Sequence, residues 1–219
     1  MAFTEEQLKG IAAQLRCPEG EFGTQVAANM NSSNAAMINS TLFHMRLQNN
    51  QKVLELGPGN ARHMLSVLQD KPQLQYSALD ISTDMVKEAS NLCEGLPARF
   101  YHYDGTAVPE NLKGFDKIFT VNTIYFWEQP EKLLQNLKNS LTEKGLIYIT
   151  FADGDFMKSQ LPFTKYGFNF YALADVVALL TRSGFKVVNH VEDRDVVTSK
   201  AGDEVQRTYY ILIAENQIN

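Results

Sequence analysis

Apolar positions recur along the chain first at helical spacing and then in an alternation of strand-like and helical runs. Leu8, Ile11, Ala12 and Leu15 share one helix face behind Thr4 and Gln7, whose spacing makes a capping box, and a second helical region covers about Thr24 to Leu47. From Lys52 onward the pattern predicts strand 52–56, helix 60–69, strand 74–79, helix 83–94, strand 98–103, strand 115–121, helix 130–141 and strand 145–151. Met85, Val86, Ala89, Leu92 and Cys93 form the stripe of helix 83–94 behind a Ser82 cap. Pro130 opens helix 130–141, where Leu133, Leu134, Leu137 and Leu141 repeat. The stretch "ADGDFMKSQLPFTKYGFNF" reads as a loop, helix 172–182 stops at Gly184, and runs 185–197 and 204–214 joined by "TSKAGD" read as a hairpin at one sheet edge. A β-α-β series of this kind builds a parallel sheet covered on both faces.

Composition narrows what such a sheet serves. With 219 residues, 44% of them hydrophobic, the chain can bury one core, and no linker-like stretch divides it, so one structural domain is expected with a helical extension over 1–50 ahead of a core over 51–219. A net charge of −5 and no basic run argue against a nucleic-acid partner. Cys17 and Cys93 match neither a disulfide framework nor a zinc site, and both are expected to be buried thiols of a reducing, cytoplasmic protein. The start "MAFTEEQLKGIAAQL" is unlike a signal peptide, and no apolar run reaches membrane-spanning length. His44, His63, His102 and His190 show no ligand spacing and are read as structural or surface residues, with no metal site.

The chemistry concentrates at "VLELGPGNARHM", where a strand runs through a Gly-Pro-Gly turn into a helix and lets backbone approach a nucleotide-like ligand. A Walker A loop would need Gly-Lys-Ser/Thr, which is missing, and a dinucleotide fingerprint would need glycine where Arg62 stands. The Tyr-x-x-x-Lys pair of many reductases is also absent. Glu55, two residues before Gly57, would repel a pyrophosphate but attract an ammonium and a sulfonium.

These residues resemble class I S-adenosylmethionine-dependent methyltransferases, whose first motif is acid-x-Gly-x-Gly-x-Gly. Here it stands as "ELGPGNA", with Ala61 in place of the third glycine. The resemblance runs on through "SALDIS", "YHYDGTAVP", "FDKIFTVNTIYFW" and "LKNSLTEKGLIYITF", and is closest to the small-molecule branch with quinone-biosynthesis and sterol-type enzymes. It implies a Rossmann-like, seven-stranded, mostly parallel sheet with one antiparallel strand, helices on both faces and a helical N-terminal cap over the active site. It further implies S-adenosylmethionine as cofactor, held by Glu55, Gly57, Pro58, Gly59, Asn60, Asp80, Ile81, Met85, Asp104, Gly105, Thr106, Val121 and Asn122, with Asp80 on the ribose hydroxyls and Asp104–Gly105 by the adenine.

Simpler roles compete for several of these residues. Asp80 could cap the next helix, although Ser82 already fits, and Asp104–Gly105 could be an ordinary turn. Glu55 in a buried strand needs a donor, from the ligand or from the protein, with the ligand favoured. Asn122 and Tyr125 share spacing with the Asn-Pro-Pro-Tyr motif of amino-methylating nucleic-acid enzymes, but both prolines are missing. Tyr125, Trp127, Phe163 and Tyr166 are instead candidate acceptor-pocket residues, and Phe126 is expected in the core. The segments "GEFGTQVAANMNSSNAAM" and "MKSQLPFTKYGFNFY" would wall a pocket for a small apolar or aromatic acceptor. No general base is identified, and the acceptor atom, O, C, N or S, stays open. The rivals are an S-adenosylmethionine-binding protein with a closed acceptor pocket and a nicotinamide oxidoreductase.

Overall fold

In the computed structural model, which describes residues 3–198 and 204–217, the sheet forms around a short, almost wholly buried strand. That strand, β1 (Lys52–Leu56), is buried from Val53 to Leu56 and has parallel neighbours on both sides. The others are β2 (Gln75–Asp80), β3 (Ala98–His102), β4 (Phe115–Val121), β5 (Leu141–Ala152), β6 (Phe185–Thr198) and β7 (Glu204–Asn216). Their order is β3-β2-β1-β4-β5-β7-β6, and only β7 runs antiparallel to its neighbours. The expected seven-stranded sheet with one antiparallel strand is therefore present. The proposed "TSKAGD" turn lies largely outside the described residues. Before Tyr209, over 204–208, the ladder partner of β7 is β6 alone, so the β6–β7 hairpin overhangs the C-terminal end of β5.

Eight α-helices are described: α1 (Glu5–Arg16), α2 (Gly20–Ser33), α3 (Ala35–Met45), α4 (Leu65–Asp70), α5 (Thr83–Leu92), α6 (Pro130–Ser140), α7 (Gly154–Gln160) and α8 (Leu173–Arg182). The capping box of Thr4 and Gln7 opens α1, Ser82 caps α5 through the Met85 N–H, and Pro130 occupies the first turn of α6. Leu133, Leu134 and Leu137 are buried as their spacing predicted.

Four local expectations are corrected. The single helical region of Thr24 to Leu47 starts earlier, at Gly20, and breaks at Asn34, whose side chain turns to another residue. Helix 60–69 begins as a 3-10 turn, Arg62–Met64, because Ala61 sits in the left-handed region, which an α-helix cannot include. The loop after β5 contains α7, capped by the Asp153 carboxylate on the Asp155 and Phe156 N–H groups, and a 3-10 turn, Pro162–Lys165. Cys93 is buried as expected, whereas Cys17 is only partly so.

Among the described residues no helix is long and apolar enough to cross a membrane. Leu54 lies at the centre of the sheet with no exposure. Leu54→Ala should destabilise the fold by about 2–5 kcal/mol, read as a lower denaturation midpoint at unchanged denaturant slope.

Candidate functional site

A cleft of about 720 Å³ opens where the parallel strands end at their carboxyl edge. Its floor is the turn after β1. Gly57 (φ +68°) and Gly59 (φ +56°) both lie in the left-handed region, and the Gly57 N–H donates to the Leu79 carbonyl at 2.8 Å, tying the turn to β2. A Cβ on Gly57 would fall 2.5 Å from Thr123 Cγ2, whereas one on Gly59 would meet nothing within 4 Å. Ala61 also has a left-handed backbone (φ 54°, ψ 20°) and a fully buried methyl. The strain of that conformation, about 1–2 kcal/mol, is partly offset by the buried methyl, about 0.8 kcal/mol, so alanine is tolerated at the third glycine position.

Two buried carboxylates flank the turn. Glu55 (2% exposed) accepts from the Tyr76 hydroxyl at 2.5 Å and from His63 Nε2 at 3.0 Å, both at Oε2. Its other oxygen, Oε1, has no protein partner and is not sealed off. Burial, followed by the Glu55 charge, holds the Tyr76 hydroxyl well above its usual range, so it stays a donor. Asp80 (5% exposed) accepts from the Gly59 N–H at 3.0 Å through Oδ2 and from the Ser82 N–H at 2.9 Å through Oδ1. Burial pushes the Asp80 carboxyl up to about 6, against the lowering effect of those backbone bonds. The helix-cap role falls to Ser82.

Of the thirteen cofactor candidates, twelve line this one cleft; Met85 does not. Its side chain is fully buried, on the face of α5 that its apolar stripe turns to the core. Asp104 is exposed and organises a turn, accepting from the Thr106 N–H and hydroxyl at 2.8 Å each; the N–H bond leads in holding its carboxyl below the usual range.

The rest of the cleft is largely apolar. Trp127 and Phe163 line it as expected. Tyr125 does too, but its hydroxyl is engaged, donating to Asn122 Oδ1 at 2.7 Å and accepting from the Ala152 N–H at 2.6 Å. Phe126, expected in the core, is half-buried in the cleft wall and packs edge-on to Phe168 at 4.6 Å. Tyr166 lies outside the cleft, 5.4 Å beneath the Lys9 ammonium of α1.

Four further residues meet here that were not among the individual site candidates. His63, read as structural or surface, lines the cleft with Nδ1 buried and unpartnered. Asn31 donates to Asn60 at 3.0 Å and Asn122 donates to Asn34 at 2.9 Å, joining α2 and its end to the loops after β1 and β4. Arg207, on the overhanging hairpin, pairs with Asp195 and donates to the Ser33 carbonyl at 2.7 Å. The helical face of His63 beside Glu55 was a readable signal. Asn31 and Asn34 fall in the segment expected to wall the pocket, but their partners, like that of Arg207, were not readable, being 29, 88 and 174 residues away in sequence.

Comparison with known proteins matches residues 53–145 to the family described as a methyltransferase domain. A Haemophilus influenzae malonyl-[acyl-carrier protein] O-methyltransferase is 29% identical over 125 residues, which are 56% of this chain and 46% of that protein, so the match spans about half of its length. Among solved structures, a chain of the Haloferax volcanii complex between the Trm112 methyltransferase activator and a candidate methyltransferase superposes with a TM-score of 0.74 at 16% identity, covering 88% of this chain and 93% of that one. The [4+2]-cyclase SpnF does so with a TM-score of 0.67 at 14% identity, covering 98% and 93%. These structures share the fold.

The two glycines of the turn should respond differently to a methyl group. Gly59→Ala should cost only the left-handed penalty, about 1–2 kcal/mol, whereas Gly57→Ala adds the clash with Thr123 and should lower the melting temperature at least twice as far. Equal losses would show that the Thr123 contact is not tight.

Proposed function

We propose that this chain, which carries a class I S-adenosylmethionine-dependent methyltransferase domain, transfers the cofactor's methyl group to a small apolar or aromatic acceptor. The observation that carries the reading is the pair of buried carboxylates beside the Gly57–Gly59 turn, each lining the cleft and neither neutralised by a lysine or arginine. Such a pair suits a ligand that is cationic and rich in hydroxyls, and disfavours a pyrophosphate.

In this reading Glu55 Oε1 faces the ammonium of the methionine portion, which passes over Gly57, Pro58, Gly59 and Asn60. Asp80 accepts from the ribose hydroxyls beside Ile81, the turn of Asp104, Gly105 and Thr106 borders the adenine, and Val121 and Asn122 bound the sulfur. Bound there, S-adenosylmethionine supplies a methyl group on a positively charged sulfur, open to in-line displacement. The protein aligns the acceptor and excludes water. Tyr125 holds Asn122 in place, and because burial raises its hydroxyl far above neutrality it serves as no base. An acceptor that arrives ionised or intrinsically nucleophilic would need no base. Helices α1 and α2 cap the cleft, tied down by the Arg16–Glu128 ion pair at 2.5 Å and by the Gly20 N–H on Asp84 at 2.8 Å. The O-methyltransferase relative supports oxygen as the acceptor atom. A binding protein with a closed acceptor side is disfavoured because the cleft runs on past Val121 into the wall of Phe126, Trp127 and Phe163. Mass spectrometry of mixtures containing the cofactor and a library of phenols, quinones, acids, amines and thiols tests the reading; a mass gain of one methyl group is the expected result, and none across the library argues against catalysis.

S-adenosylmethionine and S-adenosylhomocysteine should both raise the melting temperature and bind at micromolar levels, while NAD(P) should not. Calorimetry with no heat from either methionine-derived ligand would remove the assignment. Asp80→Ala should weaken binding roughly 30- to 100-fold, about 2–3 kcal/mol, through loss of the acceptor for two hydroxyls, and Asp80→Asn should weaken it less.

The pH dependence follows from the same group. With its carboxyl raised to about 6, Asp80 is ionised at pH 7.5 and largely protonated at pH 5. Protonation turns one oxygen into a donor, so affinity should fall as pH drops through about 6, and that limb should vanish in Asp80→Asn. A flat profile in the native protein between pH 5 and 8 would count against hydroxyl recognition by Asp80.

A further inference from the structure

Three charged side chains are buried among the described residues, Glu55, Asp80 and Arg207, and all three line the same cleft. The cofactor reading uses the first two. Arg207 stands apart from them, on the β6–β7 overhang beyond the C-terminal end of β5. Its Nε donates to Asp195 Oδ1 at 2.9 Å, and its Nη2 donates to Asp195 Oδ2 at 2.5 Å and to the Ser33 carbonyl at 2.7 Å. The two N–H groups of Nη1 meet no acceptor in the protein, yet this atom is not sealed from solvent in a side chain that is only 7% exposed. A buried ion pair gives little net stability compared with apolar packing, so its presence in an apolar wall calls for another reason.

We propose that Arg207 is a specificity-determining residue, whose Nη1 donates a hydrogen bond to an uncharged oxygen, a carbonyl or phenolic group, of the methyl acceptor. Asp195 neutralises the guanidinium and orients it, so what the pair presents to the cleft is a directed donor rather than a net positive charge. Of the other charged groups that line the cleft, Arg16 is paired with Glu128 and His63 with Glu55, so the four carboxylates Glu55, Asp80, Asp104 and Glu128 outnumber the cations and disfavour a full anion beside them. Ile38, Ala152 and Val197 give the same cleft apolar surface, which suits an uncharged oxygen on an apolar body. An acceptor lacking that oxygen would leave the donor desolvated and unpaired, which is the physical basis of selection.

This proposal rests on the methyltransferase reading but is tested apart from it, through binding of a matched pair of probes. With the protein saturated by S-adenosylhomocysteine, calorimetry should show 2-acetylnaphthalene binding at least fivefold more tightly than 2-ethylnaphthalene, which replaces the carbonyl with a methylene. In Arg207→Met combined with Asp195→Leu, which removes the pair without leaving a lone buried charge, the preference should fall to about one while affinity for S-adenosylhomocysteine is unchanged. In the native protein the carbonyl stretch of ¹³C-labelled 2-acetylnaphthalene should move to lower frequency than in hexane, a readout that holds even if the double variant does not fold. No binding of either probe, equal binding of both, an unshifted carbonyl band, or a preference that survives the double substitution would each overturn the assignment. Tighter binding of 2-naphthoate would overturn the choice of an uncharged oxygen. Absence of S-adenosylhomocysteine binding would instead strike the parent reading, since the probe comparison can be repeated without it.

Discussion

Two carboxylates held out of water at the carboxyl edge of the central strands set the terms for everything around them. A buried carboxylate is costly unless it is hydrogen-bonded, and the protein meets that cost for Glu55 with Tyr76 from β2 and His63 from the helical turn after the glycines. It does so for Asp80 with the Gly59 and Ser82 N–H groups. Each acid is thus bonded to the element that supports the other, Glu55 of β1 to Tyr76 of β2, and Asp80 of β2 to the turn after β1. Moving one strand along its neighbour would unpair both charges, so the register of Glu55 opposite Ala78 and Leu56 opposite Leu79 is also an electrostatic requirement.

Sheet topology explains why the cleft lies where it does. β1 has β2 on one side and β4 on the other, so the connections leaving β1 and β4 diverge to opposite sides and open a crevice between them. The turn of Gly57 and Gly59 fills one lip and Asn122, itself left-handed at φ 59°, forms the other, with Thr123 packed against Gly57. Over this crevice α2 and α3 meet at Asn34, and amide pairs join that junction to both lips beside the buried Met37 and Ile38 of α3. Polar bonds of this kind, in a wall reached by solvent, are individually worth only about 0.5–1.5 kcal/mol.

Much of the fold was legible because the strands carry period-two or continuous apolar runs and the helices carry one-sided stripes. Strands 52–56 and 115–121 were bounded to the residue, since Lys52 and Gly57 mark the ends of the first and Gly114 and Asn122 those of the second. Legibility failed where local preference was overruled. Asn34 breaks a continuous helical pattern because its side chain reaches across the cleft, and Ala61 delays a helix because it stands in a glycine's conformation. In the cleft, the glycines, Glu55 and Asp80 could be placed because each lies at or just past the carboxyl end of a strand whose own pattern marks it. Met85 and Tyr166 were misplaced because a one-dimensional pattern does not say which way a side chain turns relative to a cleft.

From the amino-acid order alone came the β-α-β alternation, the glycine turn after the first strand and the acidic residues near it, since each is carried by a short stretch of sequence. The partners of Glu55, the engagement of the Tyr125 hydroxyl, the Asn31–Asn60 and Asn34–Asn122 pairs and the place of Arg207 were decided only by the tertiary structure. Each of these joins groups on separate elements, and their meeting depends on which strands lie side by side and how far the β6–β7 hairpin overhangs the sheet. Spacing along a chain does not encode that distance; the packing of the whole sheet does.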